Sequence, residues 1–310
     1  MIFLLLAVVA GAFFVSGPLM ERNWLPIRHR LVGVGDVGAG HVPAAAPRVV
    51  RRTTSRTRVV LTLARREGRR LLLHPVMVAA VLLSAWWGWD SRAASPTDTY
   101  NVLTSQFHVL VTVGVLGCLV VHLTVSAPRR DDLEEQFSAL PVSDVGRTLA
   151  LLLGCLAPAG AAVLLAAFTW LAVTVFSDTV LLREPSLWAY ASTPVTVLGG
   201  LLLGVLLGRW LPWRGAGFPA LLLVVVVWLE LAGEGRRAYL APVTERAVYD
   251  KIDVYRAGSD AWHVAYIGGL CLMASIGALL RSPGRHRDRL LGLGAVAVLV
   301  TAYAGWAQLP

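Results

Sequence analysis

LLLHPVMVAAVLLSAWWGW, residues 71–89, runs for nineteen positions without a Lys, Arg, Asp or Glu. At about 1.5 Å rise per residue it makes a helix of about 28 Å, close to the roughly 30 Å hydrocarbon core of a bilayer. Seven further stretches read the same way, at roughly 1–20, 107–127, 148–176, 192–208, 216–232, 262–280 and 290–308. None of the eight holds a Lys or Arg, and their one carboxylate is Glu230, near the end of its stretch. A water-soluble core has no need of so many uncharged runs of this length. The expectation is an all-α, polytopic integral membrane bundle of about eight transmembrane helices.

The chain of 310 residues is 56% hydrophobic, and its loops are too short for a separate globular domain. With Met1 outside, the inner segments 21–70, 128–147, 209–215 and 281–289 carry 21 of the 28 Lys and Arg residues. That asymmetry fits the positive-inside rule with both termini outside the cell membrane. The net charge of +9 raises the question of nucleic acid, and 12 of the arginines lie in 21–70. Juxtamembrane Arg beside anionic lipid accounts for them without a DNA or RNA partner. Trp86, Trp87 and Trp89 close the second span on the outer side, with Trp262 and Trp306 level with them, while Trp210 and Trp213 mark an inner boundary. Indole prefers that headgroup level, where its N–H stays wet.

Residues 1–20 are expected to form an N-terminal transmembrane helix; Glu21, Arg22, Arg28 and Arg30 follow it, a charge order suited to an uncleaved N-out helix. Residues 21–56 are an Arg-, Gly- and Pro-rich cytoplasmic linker. Its Gly33-Val34-Gly35-Asp36-Val37-Gly38 matches GxGxxG, but Pro43 and Pro47 follow and no βαβ pattern surrounds it. Over 57–73, Val60, Leu61, Ala64, Gly68, Leu71 and Leu72 share one side of a helix, and Arg58, Arg65, Arg66, Arg69 and Arg70 the other. This reads as an interfacial amphipathic helix, its apolar face in the lipid boundary, with Pro75 turning the chain into the second span. Gly200, Gly204 and Gly208 recur every fourth residue, the spacing that lets two membrane helices pack closely. Pro158 predicts a kink in 148–176. Cys118, Cys155 and Cys271 fall in three different spans and read as small apolar fillers.

The inner segment between the third and fourth spans is the most informative: Asp131-Asp132-Leu133-Glu134-Glu135-Gln136-Phe137-Ser138-Ala139-Leu140-Pro141-Val142-Ser143-Asp144. Acidic residues suit the first turn of a short helix, Leu133, Phe137 and Leu140 line one face of it, and Pro141 ends it. Ser143 is placed to cap the next span. A short cytoplasmic helix with an apolar stripe has a partner protein or the bilayer surface to meet, and four acids suit anionic lipid poorly. A magnesium site for a lipid-modifying enzyme is a further reading of Asp131, Asp132 and Glu135. Hard cations take several oxygen ligands, and the other inner loops supply no second acidic cluster. His108 and His263 sit near the outer boundary, His122 near the inner one, and Glu230 toward the outer headgroups, which does not make the mid-depth pair a proton relay wants. The sequence contains no G-x-x-x-x-G-K-[ST], so a Walker loop is absent from it.

An Arg-rich amphipathic helix feeding one span, then a second span, then an acidic helix ending in Leu140-Pro141-Val142-Ser143, resembles the permease subunit of type-2 ATP-binding cassette (ABC) exporters. The resemblance covers roughly 57–152 and implies a six-helix exporter-like core with extra helices, the permease-like domain spanning 57–310. It makes 57–73 the elbow helix, with Arg65, Glu67, Arg69 and Arg70 in it. It makes about 131–141 the coupling helix, with Leu133, Glu134, Phe137, Leu140 and Pro141 contacting a cassette ATPase. The family further implies a homodimer or a heterodimer with a second permease, no catalytic residue or cofactor in this chain, and ATP and Mg on the partner. Two departures stand out: Asp144 occupies a position that is usually basic, and eight spans replace six. The reading from another class is a non-transporting membrane subunit that assembles or regulates a complex through the same helix.

Topology is the expectation most directly open to test. On a variant lacking the native cysteines, an impermeant thiol reagent added outside should modify a cysteine placed in 233–261 and spare one in 128–147. The reverse pattern would overturn the orientation.

Overall fold

Backbone amides inside hydrocarbon find no water, so each must bond within its own segment, and the helix is the local solution. A computed structural model describes residues 56–90, 108–130, 142–176, 186–213, 215–219, 221–222, 226, 259–282 and 287–309, and every regular element among them is helical.

Helix α1 (Arg56–Leu72) meets α2 (Pro75–Asp90) at a bend of 63°. Proline is tolerated at the first helical position because it lacks an N–H that would go unbonded there. His74, just before it, accepts the Val76 N–H on Nδ1 at 3.3 Å and so caps α2. A π-helical stretch (Leu110–Leu116) runs into α3 (Gly117–Arg130). Next come α4 (Asp144–Gly154) and α5 (Leu156–Val175), a 32-residue apolar run broken at Cys155. The sequence placed the kink at Pro158, whereas the break falls three residues earlier. Pro158 has no N–H for the Gly154 carbonyl, and its ring crowds that carbonyl, so the disruption appears one turn toward the N-terminus. Helices α6 (Leu187–Trp210), α7 (Ser259–Leu280) and α8 (Arg287–Ala307) complete the set.

Among the described residues, five helices are each long and apolar enough to cross a membrane, or six if the bent α1–α2 pair counts as one span. The chain is a polytopic, helical, membrane-spanning protein. Of the eight expected spans, 1–20 lies outside the described residues, as does most of 216–232.

The third span, Leu110–Pro128, is 78% buried against 22% for Arg287–Ala307, which marks it as the centre of the bundle. Helix α6 lies along it. A Cβ at Gly200 would stand 2.8 Å from the Gly114 carbonyl oxygen, one at Gly204 2.5 Å from that of Cys118, and one at Gly208 2.8 Å from the Val125 Cβ. Three glycines one turn apart therefore bring two backbones together along most of their length. On its other side α6 packs on α7, where Gly199 meets the Cys271 sulfur and the Trp210 indole donates to the Gly277 carbonyl at 2.9 Å. The cysteines are all buried and unbridged.

Helix α1 departs from a wholly lipid-facing apolar side. Ala64, Gly68 and Leu71 are buried, and Gly68 packs against Gly154 and Ala157 while Leu61 stays exposed. Small residues on the apolar stripe make it a helix–helix contact, and the remaining apolar positions, with Arg65, Arg66 and Arg69, stay open to the surroundings.

Gly204→Ala is expected to lower thermal stability, because overpacking against an immovable carbonyl costs about 1–3 kcal/mol and outweighs the roughly 1 kcal/mol that alanine gains in helix propensity. Gly292→Ala, with nothing within 4 Å of the new Cβ, should be neutral or stabilising. Melting of the two variants in one detergent compares them; equal behaviour would mean that the α3–α6 seam is not tight.

Candidate functional site

Polar groups in an apolar bundle gather where helices end, and the N-terminus of α4 and the C-termini of α6 and α7 meet in one cluster. Asp144 opens α4, whose N-cap Ser143 accepts the Gly146 N–H at 3.2 Å. Arg209, in the last turn of α6, forms an ion pair with Asp144 and donates to the Ser282 hydroxyl at 3.0 Å. Ser282 follows α7 and lies 3.3 Å from the Thr148 hydroxyl, which also donates to the Asp144 backbone carbonyl at 3.0 Å. Arg147 adds a second cation 3.7 Å from the Asp144 carboxylate. The Arg209 side chain is 11% exposed and that of Asp144 28%, so water screens the pair only in part. Removing one partner of a buried pair costs about 3–5 kcal/mol, and the residual exposure puts this pair toward the lower figure. Both residues also sit at favourable helix ends, the carboxylate at an N-terminus and the guanidinium at a C-terminus.

A second contact lies at the same end of α6. The His122 ring, on α3, is fully buried, with Nε2 3.2 Å from the Trp213 carbonyl oxygen. A carbonyl only accepts, so Nε2 carries the proton. Gly217 lies flat on the imidazole, where a Cβ would come within 2.8 Å of its Cδ2. His122 thus pins the turn that leaves α6 to the central helix.

At the opposite end the same helices are tied again. Ser186, the N-cap of α6, donates to the Asp260 carboxylate at 2.6 Å, and His263 Nδ1 lies 2.8 Å from the Gln308 side-chain oxygen. Trp262 meets Tyr303 edge-on at 5.5 Å, Tyr303 meets Trp306 tilted at 6.0 Å, and Trp87 lies tilted against the His108 ring at 4.7 Å. Deeper in the bundle, Ser84 and Thr112 hydrogen-bond to each other across α2 and the π-helical stretch.

The sequence-derived site residues divide sharply. Leu133, Glu134, Phe137, Leu140 and Pro141 lie outside the described residues, as do Asp131, Asp132, Glu135 and Glu230. Arg65, Glu67, Arg69 and Arg70 sit on α1, with Arg70 3.7 Å from Glu67 one turn away, an arrangement worth only a few tenths of a kcal/mol. Gly200, Gly204 and Gly208 face the central helix. Sequence reading noted Asp144 only as a departure from a family pattern and did not pair it with Arg209. The available signal is that both stand at the ends of apolar runs expected on one side of the membrane and carry opposite charge.

No family model, curated protein or solved structure matches the chain.

His122→Phe keeps the ring's bulk and removes the donor, leaving the Trp213 carbonyl unbonded. It is expected to destabilise the protein by about 1–3 kcal/mol, while His122→Gln, which retains an N–H donor, should recover part of the loss. Thermal unfolding of both variants in one detergent measures this. A His122→Phe variant as stable as wild type would show that the hydrogen bond contributes little.

Proposed function

We propose that the chain is the membrane-spanning permease subunit of an ATP-driven exporter of the type-2 ABC class, coupled to a separate cassette ATPase. The observation that carries the reading is the segment 131–141, with its Leu133–Phe137–Leu140 stripe, held between the central span and α4. Two structural features support it. Helix α1 turns by 63° into α2, as a connecting elbow must, and carries exposed Arg65 and Arg69 for the headgroup region. Ser143 caps α4 directly after Leu140-Pro141-Val142, so the far end of the segment is anchored to a rigid element.

In this reading the chain supplies the pathway and its partner supplies the work. ATP and Mg bind the partner, and the segment 131–141 inserts its apolar stripe into a groove on that ATPase. Two permeases, identical or related, pair in a bacterial cell membrane with both termini outside. Uncharged Leu, Val and Ala spans set no particular cargo.

Phe137→Ala and Leu133→Asp should uncouple ATP hydrolysis from transport while leaving expression and detergent-resistant size near wild type, since neither position lies in a span. Truncating a buried interface aromatic commonly costs about 2 kcal/mol, roughly a thirtyfold loss of partner affinity. Co-purification of the ATPase with each variant, together with its ATPase rate, measures the effect. Undiminished retention and activity in both would remove this helix from the coupling role, and retention of a partner without ATPase activity would favour a non-transporting assembly subunit.

A further inference from the structure

Helix α4 belongs more to α1 than to the rest of the bundle. It packs chiefly on α1 and touches α6 and α7 sparsely. The two helices have joints at one level: α1 bends by 63° into α2 at Leu73–His74, α4 runs on into α5 through Cys155, where Pro158 leaves the Gly154 carbonyl without its helical N–H, and Gly68 meets Gly154 beside both. Glycine against glycine keeps the pair close, so α1 and α4 can turn together, α1 at its bend and α4 at the helical hydrogen bond that Pro158 removes. Apolar contact between α4 and the α6–α7 pair is slight, and what ties its inner end across is polar: Asp144 to Arg209, with Thr148 against Ser282.

We propose that α1 and α4 form a lever, hinged at Leu73–His74 and Cys155, and that the Asp144–Arg209–Ser282 cluster is the latch that holds it closed. One ion pair then joins two packing groups, α1 with α4 on one side and α6 with α7 on the other. The residue that ends the segment 131–143 is bonded to the residue that bears the latch carboxylate, so a pull on that segment acts on the ion pair before it reaches any span. The anchoring also explains why an acid stands at Asp144: a basic residue there would face Arg209 and Arg147 and hold the lever open. The lever rests on the permease reading only for what moves it; the hinge and the latch are properties of this chain alone.

Distances between spin labels on the full chain in lipid nanodiscs test it without any ATPase, on a background with the three native cysteines replaced by alanine. One pair joins Leu61, exposed on α1, to Leu272, exposed on α7; a control pair joins Val175 to Leu187, both exposed at the opposite end. Leu61 lies twelve residues, about 18 Å, from the α1 joint, so a 20° swing moves it by about 6 Å. Asp144→Asn and Arg209→Gln should each shift or spread the Leu61–Leu272 distance by about that much and leave the control pair unchanged. The double variant should go no further than either single, because both remove one interaction. Arg209→Lys keeps the cation without the planar fork that reaches Asp144 and Ser282 together, so it should release the lever partly and serves if Arg209→Gln does not fold. An unchanged Leu61–Leu272 distance in these variants would overturn the latch. Equal spreading of the control pair would overturn it too, as the mark of a loosened bundle. Loss of the ATPase partner in a separate pull-down would contradict the permease reading and leave this result standing.

Discussion

The close approach of α6 to the central span governs the arrangement of the other helices. Between apolar helices in lipid there is little hydrophobic gain, so contact must come from packing, and packing improves as backbones approach. Gly200, Gly204 and Gly208 remove the side chains that would hold α6 away from Gly114, Cys118 and Val125. With that seam closed, α6 presents its other faces to α7 and α5, and α7 in turn carries α8 through the Gly269–Thr301 contact. Larger residues at those three positions would displace a helix that several others lean on.

The seam also fixes where charge can be placed. Holding α6 against the central span delivers Arg209 next to the start of α4, and Asp144 meets it there. Arg209 is largely covered, so the guanidinium keeps a carboxylate and a hydroxyl rather than water. The result is asymmetric: α6, α7 and α8 are linked by glycine seams and by hydrogen bonds at their ends, while α4 rests on α1 and joins the others through a polar contact. Under the proposed lever, the first group is the fixed part and α1 with α4 the moving part through which a partner's work would enter.

Much of this architecture was legible in the sequence, because a bilayer imposes a length and a polarity that few other environments share. The uncharged runs at 107–127, 192–208, 262–280 and 290–308 each correspond to a helix or helical run, whereas 71–89, read as one straight helix, straddles the 63° bend at Leu73–His74 and only its part from Pro75 lies on α2. Ser143 was legible as a cap because that signal is local. What escaped were non-local effects. The break at Cys155 depends on how the carbonyl before Pro158 is freed, which shifts it a turn from the proline itself. Ala64 and Gly68 looked like part of a lipid-facing stripe, although small residues on such a stripe are the usual sign of a neighbouring helix. Asp144 and Arg209 lie 65 residues apart, and no pattern in one dimension pairs them.

In the proposed function, work enters the chain through the segment 131–141 before α4. A photoreactive amino acid placed at Phe137 in cells, activated briefly and followed by mass spectrometry of the adduct, asks directly what that segment touches. The expected result is a covalent adduct with a cassette-type ATPase, diminished when Leu133 or Leu140 carries a charge. An adduct with lipid, with a second copy of this chain or with a protein lacking ATPase activity, and none with an ATPase, would contradict it.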